Sequence, residues 1–185
     1  FLVHHAGEDY AIGHNGNLVN AFKLRSQLEE RGSIFQSTMD SEVIIHLMAT
    51  ARASSPVDRF IEAVRQVEGA FSLVAMASHV MMGLRDPHGV RPLCIGRLGE
   101  SWVLASESCA LDIIDATFVR DVEPGELVIL DGKTIQSLRP FPATARKFCI
   151  FEYIYFARPD SLVEGHSVYE ARKQIGVELA REAPT

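Results

Sequence analysis

The spacing of the apolar residues changes at Ala70, and that change limits the folds open to this chain. From Leu18 to Ala70 apolar residues recur at helical intervals; from Ala70 short runs of strand length take over. Leu18 to Glu30 reads as a helix with Gly32 as its C′ stop. Asp40 stands as the N-cap of a second helix, on which Val43, Ile44, Leu47, Met48 and Ala51 share one face. Ser55-Pro56 opens a third, with Asp58 placed to help cap it. Phe60, Ile61, Val64 and Val67 form its apolar side, and Gly69 ends it. Ala70 to Ala77 then reads as a strand buried on both faces, followed after a Ser78-His79 corner by Val80 to Leu84. Leu93 to Gly96 and Trp102 to Ala105 read as further strands, and Ser108 to Asp115 as a short helix. Glu126 to Leu130 and Thr134 to Leu138 form a hairpin around Asp131-Gly132. Helices grouped first and strands grouped later favour antiparallel sheets faced by helices over a doubly wound parallel sheet.

Arg139-Pro140-Phe141-Pro142 interrupts this pattern and marks a domain boundary. Beyond it come an aromatic, strand-like run, Phe148 to Phe156, and a helix from about Ser167 to Glu182. The chain of 185 residues holds one domain or one and a fraction, and 47% apolar residues suffice for a sizeable core. A net charge of -6 with a pI near 5.6 argues against a general nucleic-acid or membrane-surface binder. Cys94, Cys109 and Cys149 are far apart, odd in number and form no CxxC pair. A disulfide framework or zinc ribbon is therefore not expected, and a reducing cytoplasm fits. No apolar run is long enough to span a bilayer. Phe1-Leu2-Val3 is neither an initiator methionine nor a signal peptide, and the chain reads as part of something longer at both ends.

The chemistry concentrates in Gly13-His14-Asn15-Gly16-Asn17, with apolar Ala11-Ile12 before it and a helix-like segment after. At such a junction Asn15 can present a side-chain N–H, and Cβ-less Gly16 a free backbone N–H, in one direction. Two convergent neutral donors are what the tetrahedral oxyanion of acyl transfer needs. The bland alternative is an Asn-Gly turn serving geometry only. His14 tempts as a general base. Arg85, Asp86 and Arg91 surround the turn Asp86-Pro87-His88-Gly89 and read as an ion-pair network pinning a loop. His4-His5 and His88 show no metal-ligand spacing.

Several motifs in order carry a resemblance. Gly13 to Asn17, then Phe35-Gln36-Ser37-Thr38-Met39-Asp40-Ser41-Glu42, then Gly69-Ala70-Phe71-Ser72 resemble the glutaminase domain of class II amidotransferases, which are N-terminal-nucleophile hydrolases. Within that class, three later stretches are similar to the amidophosphoribosyltransferase family. They are Arg85 to Leu93, Ala105-Ser106-Glu107-Ser108, and Cys149 to Ser161, continued by Val168-Tyr169-Glu170-Ala171-Arg172. The resemblance implies an α+β fold. Residues 1–145 would form an incomplete four-layer αββα glutaminase sandwich, and residues 146–185 an interdomain segment with the start of an α/β type I phosphoribosyltransferase domain.

It further implies the first committed step of purine synthesis. Glutamine and phosphoribosyl pyrophosphate give phosphoribosylamine, glutamate and pyrophosphate, with ammonia passing between the domains. Asn15 and Gly16 match the oxyanion hole. Asp40 matches the carboxylate that pairs with the α-ammonium of glutamine, a charge-assisted contact compatible with helix capping. His14 becomes structural, its hydrogen bonds satisfied, because in this class the nucleophile's own α-amine is the base. Cys149 matches a position that in some members ligates a [4Fe–4S] cluster; Cys94 and Cys109 match no other ligand, and four thiolates are needed. Glu152, Tyr153, Arg158, Asp160 and Ser161 pack and hydrogen-bond in the join between domains. Mg2+ would serve the second domain through ligands outside this chain. A full-length homo-oligomer, dimer or homotetramer, in the cytoplasm is implied, with no nucleic acid or membrane partner.

The class uses an N-terminal Cys as nucleophile, and position 1 here is Phe. A His-Val-Arg-Tyr-Ser-Thr-like segment that holds the substrate carboxylate is not found either. The chain as given is therefore expected to be inactive, and prone to aggregate through exposed sheet edges. Two other readings are another class II amidotransferase, disfavoured by Cys149 to Ser161, and a catalytically dead homologue serving as a binding module.

Overall fold

The computed structural model describes residues 1–5, 7–77 and 79–183. Ser78 of the expected corner, and Pro184 and Thr185 at the end, lie outside them. Strands β1 (Leu2–His5) and β2 (Glu8–Leu18) come first, then helices α1 (Ala21–Glu30), α2 (Glu42–Thr50) and α3 (Pro56–Val64). Strands β3 (Gly69–Ala77), β4 (Val80–Arg85), β5 (Cys94–Leu98) and β6 (Ser101–Ala105) follow. Helix α4 (Ser108–Ile113) precedes β7 (Thr117–Asp121), β8 (Leu127–Asp131) and β9 (Thr134–Leu138). One sheet has six strands in the order β1-β2-β3-β4-β8-β9 and a second has three in the order β6-β5-β7; a short two-stranded ladder pairs Leu162–Val163 with His166–Ser167, and all these pairings are antiparallel.

The layers follow from which faces are apolar. Leu28, Ile44 and Phe60 of the three helices pack on Ile12, Leu73 and Leu84 of the large sheet. The other face of that sheet gives Val74 and Val128, which meet Ile95, Trp102 and Leu104 of the small sheet. Beyond it, Cys94, Val103 and Phe118 pack on Leu111 of α4. Helices, sheet, sheet and helix are thus stacked as the four-layer αββα sandwich. The layers touch closely: a Cβ on Gly83 would lie 2.7 Å from Leu104 Cδ1, and one on Gly96 2.6 Å from Leu111 Cδ2.

The local signals for α1 and α3 hold. Gly32, at φ +93°, donates to Glu29 O and Ser33 to Leu28 O, closing α1 with the paired bonds of a Schellman end. Ser55 accepts from Asp58 N, with Pro56 in the first turn. The β8–β9 hairpin forms, but Asp131 pairs with Thr134, so the two-residue turn is Gly132-Lys133.

Three expectations fail. Residues 13–17 are not a strand-to-helix corner: β2 runs through them to Leu18, paired with β3 throughout, and α1 begins only at Ala21. Two glycines make this possible. Gly16 sits at φ +144° and Gly69 at φ +149°, and a Cβ on them would come within 2.0 Å of Ala70 O and 2.2 Å of Asn17 O. Gly69 therefore opens β3 instead of ending α3. Phe148 to Phe156 is not a strand either. Having no partner strand, it folds into a single wide helical turn, Glu152–Phe156. Arg172 donates there to Tyr153 O and Ala157 O, both at 2.7 Å. The final helix, α5 (Val168–Glu182), is capped by Ser167 accepting from Glu170 N, as its sequence suggests.

Glu126 ties the two sheets together. Its buried carboxylate accepts both Arg120 Nη1 and Nη2 from β7 at 2.8 and 2.7 Å, Ser137 Oγ from β9 at 2.6 Å, and Glu123 N at 2.7 Å. Burial alone would raise its pKa. Arg120, Ser137 and the Glu123 amide outweigh that and hold it at about 2, below the ordinary 4.5. The stabilisation is complete above pH 4.5 and is lost as pH falls from there towards 2. Acid titration of the melting temperature should show that fall, and Glu126→Gln should flatten it while lowering stability at neutral pH by about 1–3 kcal/mol. Gly69→Ala should cost about 2–4 kcal/mol in urea unfolding, because it combines backbone strain with a clash. Gly176→Ala, in open space on α5, should instead add about 0.5–1 kcal/mol.

Candidate active site

The site is built on one edge of β2. Ile12 donates to Phe1 O and accepts from the Phe1 ammonium, both at 2.8 Å, and β1 pairs only with residues 8–11. Past Ile12, that edge carries no strand among the described residues. Successive N–H groups of a strand alternate between its edges, so those of Ile12, His14, Gly16 and Leu18 share this one. Leu18 N is taken up by Asp40 Oδ2 at 2.9 Å, and Asp40 Oδ1 lies 3.0 Å from His14 Nδ1. One carboxylate thus grips residues on both sides of Asn15-Gly16, with the Gly16 N–H on the open edge between its anchors.

This corrects the reading of Asp40 as a helix cap. Ser41 is the N-cap residue of α2 and makes no side-chain cap bond; both Asp40 oxygens are committed to β2. His14 is structural but only half satisfied. Its side chain is 5% exposed, and Nε2 is buried without a partner.

The loop that carries Asp40 is held by Glu42, whose part sequence reading missed. The buried Glu42 carboxylate accepts Gln36 N at 2.7 Å, Ser37 N at 2.8 Å and Ser37 Oγ at 2.6 Å. Burial raises its pKa, but these donors outweigh the effect and leave it below the usual carboxylate range. An acidic residue in the first turn of α2 was the only sequence signal for this role.

Asn15 points the other way. It pairs with Ser72, two residues from the Gly13–Val74 pair, and Val74 faces the small sheet, so the Asn15 side chain lies on the inter-sheet face. There Asn15 Oδ1 accepts from Arg91 Nη2 at 2.8 Å and Nε at 3.2 Å. Arginine has no acceptor, so the amide oxygen must face the guanidinium and the amide N–H2 must face away.

The loop that delivers Arg91 differs from expectation. The side chains of Arg85, Asp86 and Arg91 form no ion pair with one another; the arginines pair with Glu164 and Glu152 instead. Asp86 accepts the backbone N–H of His88 and Val90 at 2.9 Å and of Arg91 at 3.3 Å. Arg85 donates to Gly89 O, Arg91 O and Val122 O, and to Glu164. Arg85 is 1% exposed, and at such depth the unpaired groups within reach are the carbonyls of the turn. The loop is pinned, as expected, but through its backbone.

The charge partner of Arg91 is Glu152, with Nη1 2.7 Å from Oε1. Burial raises the Glu152 carboxyl, Arg91 pulls it down and Glu107 adds to the rise. The segment after Glu152 docks on the start of α4. Arg158 N and Ser161 Oγ donate to Glu107 at 2.7 and 2.8 Å, and Leu162 N to Ser108 Oγ at 2.7 Å. Tyr153 Oη donates to Val163 O at 2.6 Å, while Arg158 and Asp160 form an exposed pair.

Cys94 and Cys109 are buried around the small sheet and α4, and burial pushes the Cys94 thiol up to about 12. Cys149 is half-buried just ahead of the wide turn, where its carbonyl accepts Glu152 N. Among the described residues no three His, Cys, Asp or Glu side chains gather as metal ligands, and no helix is long and apolar enough to cross a membrane.

Asp40→Ala strips two partners at once. It should lower stability by about 1–3 kcal/mol and speed hydrogen exchange at the Leu18 amide, while amides of β4 keep their protection.

Comparison with known proteins identifies the family and the fold. A model of the glutamine amidotransferase domain matches residues 2–112. An amidophosphoribosyltransferase of Rhizobium etli is 49% identical over 179 residues, covering 94% of this chain and 36% of that protein. The amidophosphoribosyltransferase of Bacillus subtilis is 43% identical over 173 residues, with the same coverage of 94% and 36%. This chain therefore spans little more than a third of the length of these relatives. The solved glutamine phosphoribosylpyrophosphate amidotransferase of B. subtilis, complexed with ADP and GMP, superposes with a TM-score of 0.95 at 41% identity. It covers 100% of this chain and 41% of its own. A class-II glutamine aminotransferase domain protein from Silicibacter pomeroyi shares the fold, with a TM-score of 0.53 at 13% identity over 72% of this chain and 67% of its own. A domain model matched over residues 2–112, with relatives 43–49% identical along 94% of the chain, places this chain in the glutamine amidotransferase domain family.

Proposed function

We propose that these residues are the glutaminase part of an amidophosphoribosyltransferase. The observation that carries the reading is the orientation of Asn15. Its amide oxygen is held by Arg91, which leaves the N–H2 free to donate, and Asp40 anchors the same strand at His14 and Leu18, on either side of Asn15-Gly16.

In the reaction a thiolate attacks the side-chain carboxamide of glutamine. The carbonyl oxygen gains negative charge as carbon becomes tetrahedral, and Asn15 Nδ2 and Gly16 N donate to it. Both donors are neutral and already in place, so little reorganisation accompanies the charge shift. Asp40 receives the α-ammonium of the substrate and fixes which carboxamide carbon is presented. Collapse of the intermediate breaks its C–N bond, the proton held by the amine base leaves with the nitrogen as ammonia, and water then hydrolyses the γ-glutamyl thioester to glutamate and free thiol. The ammonia displaces pyrophosphate from phosphoribosyl pyrophosphate to give phosphoribosylamine, the entry to purine synthesis.

The nucleophile is none of the three cysteines. Two are buried away from the donors, and Cys149 lies in the join. The thiol and its amine base come from residues outside these 185, and so do the Mg2+ ligands of the transferase half. Cys149 could contribute one thiolate to a [4Fe–4S] cluster. The described residues gather no ligand set around it, so the chain by itself does not fit that group, and no step passes through it. The protein works in the cytoplasm as a homo-oligomer, a dimer or homotetramer.

The full-length protein should convert glutamine and phosphoribosyl pyrophosphate to glutamate and phosphoribosylamine. Asp40→Asn there should raise the KM for glutamine by about tenfold or more, as expected for losing a charged partner of a bound ammonium. Residues 1–185 alone should release no glutamate above a buffer blank. Glutamate release by those residues alone, or none by the full-length protein, refutes the reading.

A further inference from the structure

Arg91 spends every guanidinium nitrogen on a specific partner. Nε and Nη2 converge on Asn15 Oδ1 at 3.2 and 2.8 Å, Nη1 reaches Glu152 Oε1 at 2.7 Å, and the plane lies over Phe156, 5.0 Å from the ring centroid. Its backbone is equally constrained. Arg91 O accepts from Arg85 Nε at 2.8 Å and Ser72 Oγ at 3.1 Å, and Arg91 N donates to Asp86 at 3.3 Å. The side chain starts from a locked loop and ends in a buried acid, with Asn15 held in the fork between.

We propose that Arg91 is the positioning residue of the oxyanion hole: it sets and strengthens the donor that Asn15 presents, without touching the substrate. The inference rests on the glutaminase reading above and adds a residue to it.

Two effects follow from the geometry. The first is orientation. A primary amide can turn over and expose either its oxygen or its nitrogen, and an oxygen facing a developing oxyanion would repel it. A cation on Oδ1 allows one of the two states. The second is polarisation. Positive charge at the amide oxygen draws electron density from nitrogen through the amide resonance. The Nδ2 hydrogens become more positive, and hydrogen bonds in series reinforce one another. Both effects matter most where the acceptor carries full charge, in the transition state, and little in ground-state binding.

Loss should therefore appear in kcat and not in KM. In the full-length enzyme, Asn15→Ala should lower the kcat for glutamine hydrolysis by about 10²–10³-fold, as for other oxyanion donors. Arg91→Ala should lower it by about tenfold or more with KM within about twofold, and Arg91→Lys, a single ammonium nitrogen in place of a planar fork, should lie between. The double variant Asn15→Ala/Arg91→Ala should be no slower than Asn15→Ala alone, because Arg91 acts through Asn15. Unchanged kcat in both Arg91 variants overturns the proposal. So does a loss confined to KM, or a double variant slowed by the product of the single effects. Should Arg91→Ala fail to fold, Arg91→Lys carries the same kcat reading and the same cycle with Asn15→Ala. A wild-type enzyme without glutamine-dependent turnover would instead refute the functional reading, and this inference with it.

Discussion

The pairing of β2 with β3 is the constraint from which the rest of the molecule follows. All nine residues of β3 lie opposite β2, from Tyr10–Ala77 to Leu18–Gly69. That pairing keeps Asn15 and Gly16 extended, although Gly and Asn are poor strand residues by propensity. It also decides which face each side chain takes. Ile12 and Leu18 go to the helices and Asn15 goes between the sheets, so neighbours in sequence serve opposite layers. The backbones draw together at the Asn17 end because Gly16 and Gly69 have no Cβ to keep them apart.

What the sequence showed, and what it hid, divides along the range of the interactions involved. Ser55, Asp58 and Gly32 act within one helical turn, and their roles were legible. The buried faces of α2 and α3 were legible for the same reason. β7 was not, since Thr117 to Asp121 mixes charged and apolar residues in so short a run. The aromatic run at 148–156 has the composition of a strand, and only the lack of a partner shows that it is a turn. In the candidate site, residue type pointed to Asn15 and Gly16, and the family resemblance to Asp40. Their connections could not be read: the Asp40–Leu18, Asn15–Arg91 and Arg91–Glu152 contacts cross 22, 76 and 61 positions, and each depends on the finished packing.

Polar groups join the layers where apolar contact alone would let them slide. Glu126 takes a bidentate Arg120 from the other sheet, Arg85 gathers three carbonyls of the connecting loops, and Glu107 receives the segment after the wide turn. Apolar cores tolerate small shifts at modest cost, whereas a buried carboxylate that loses its donors does not. Such bonds fix the relative placement of the sheets, and the Asn15 amide is set by a residue on the loop that bridges them.

The insertion of residues 19–68 between β2 and β3 bears on how the molecule is reached during folding. Leu18 and Gly69 meet only after the chain between them has closed a long loop, while α2 and α3 can form from nearby contacts. Helical secondary structure should therefore precede the open edge of β2 in time, and the Asn15-Gly16 step matures only with that long-range strand pairing.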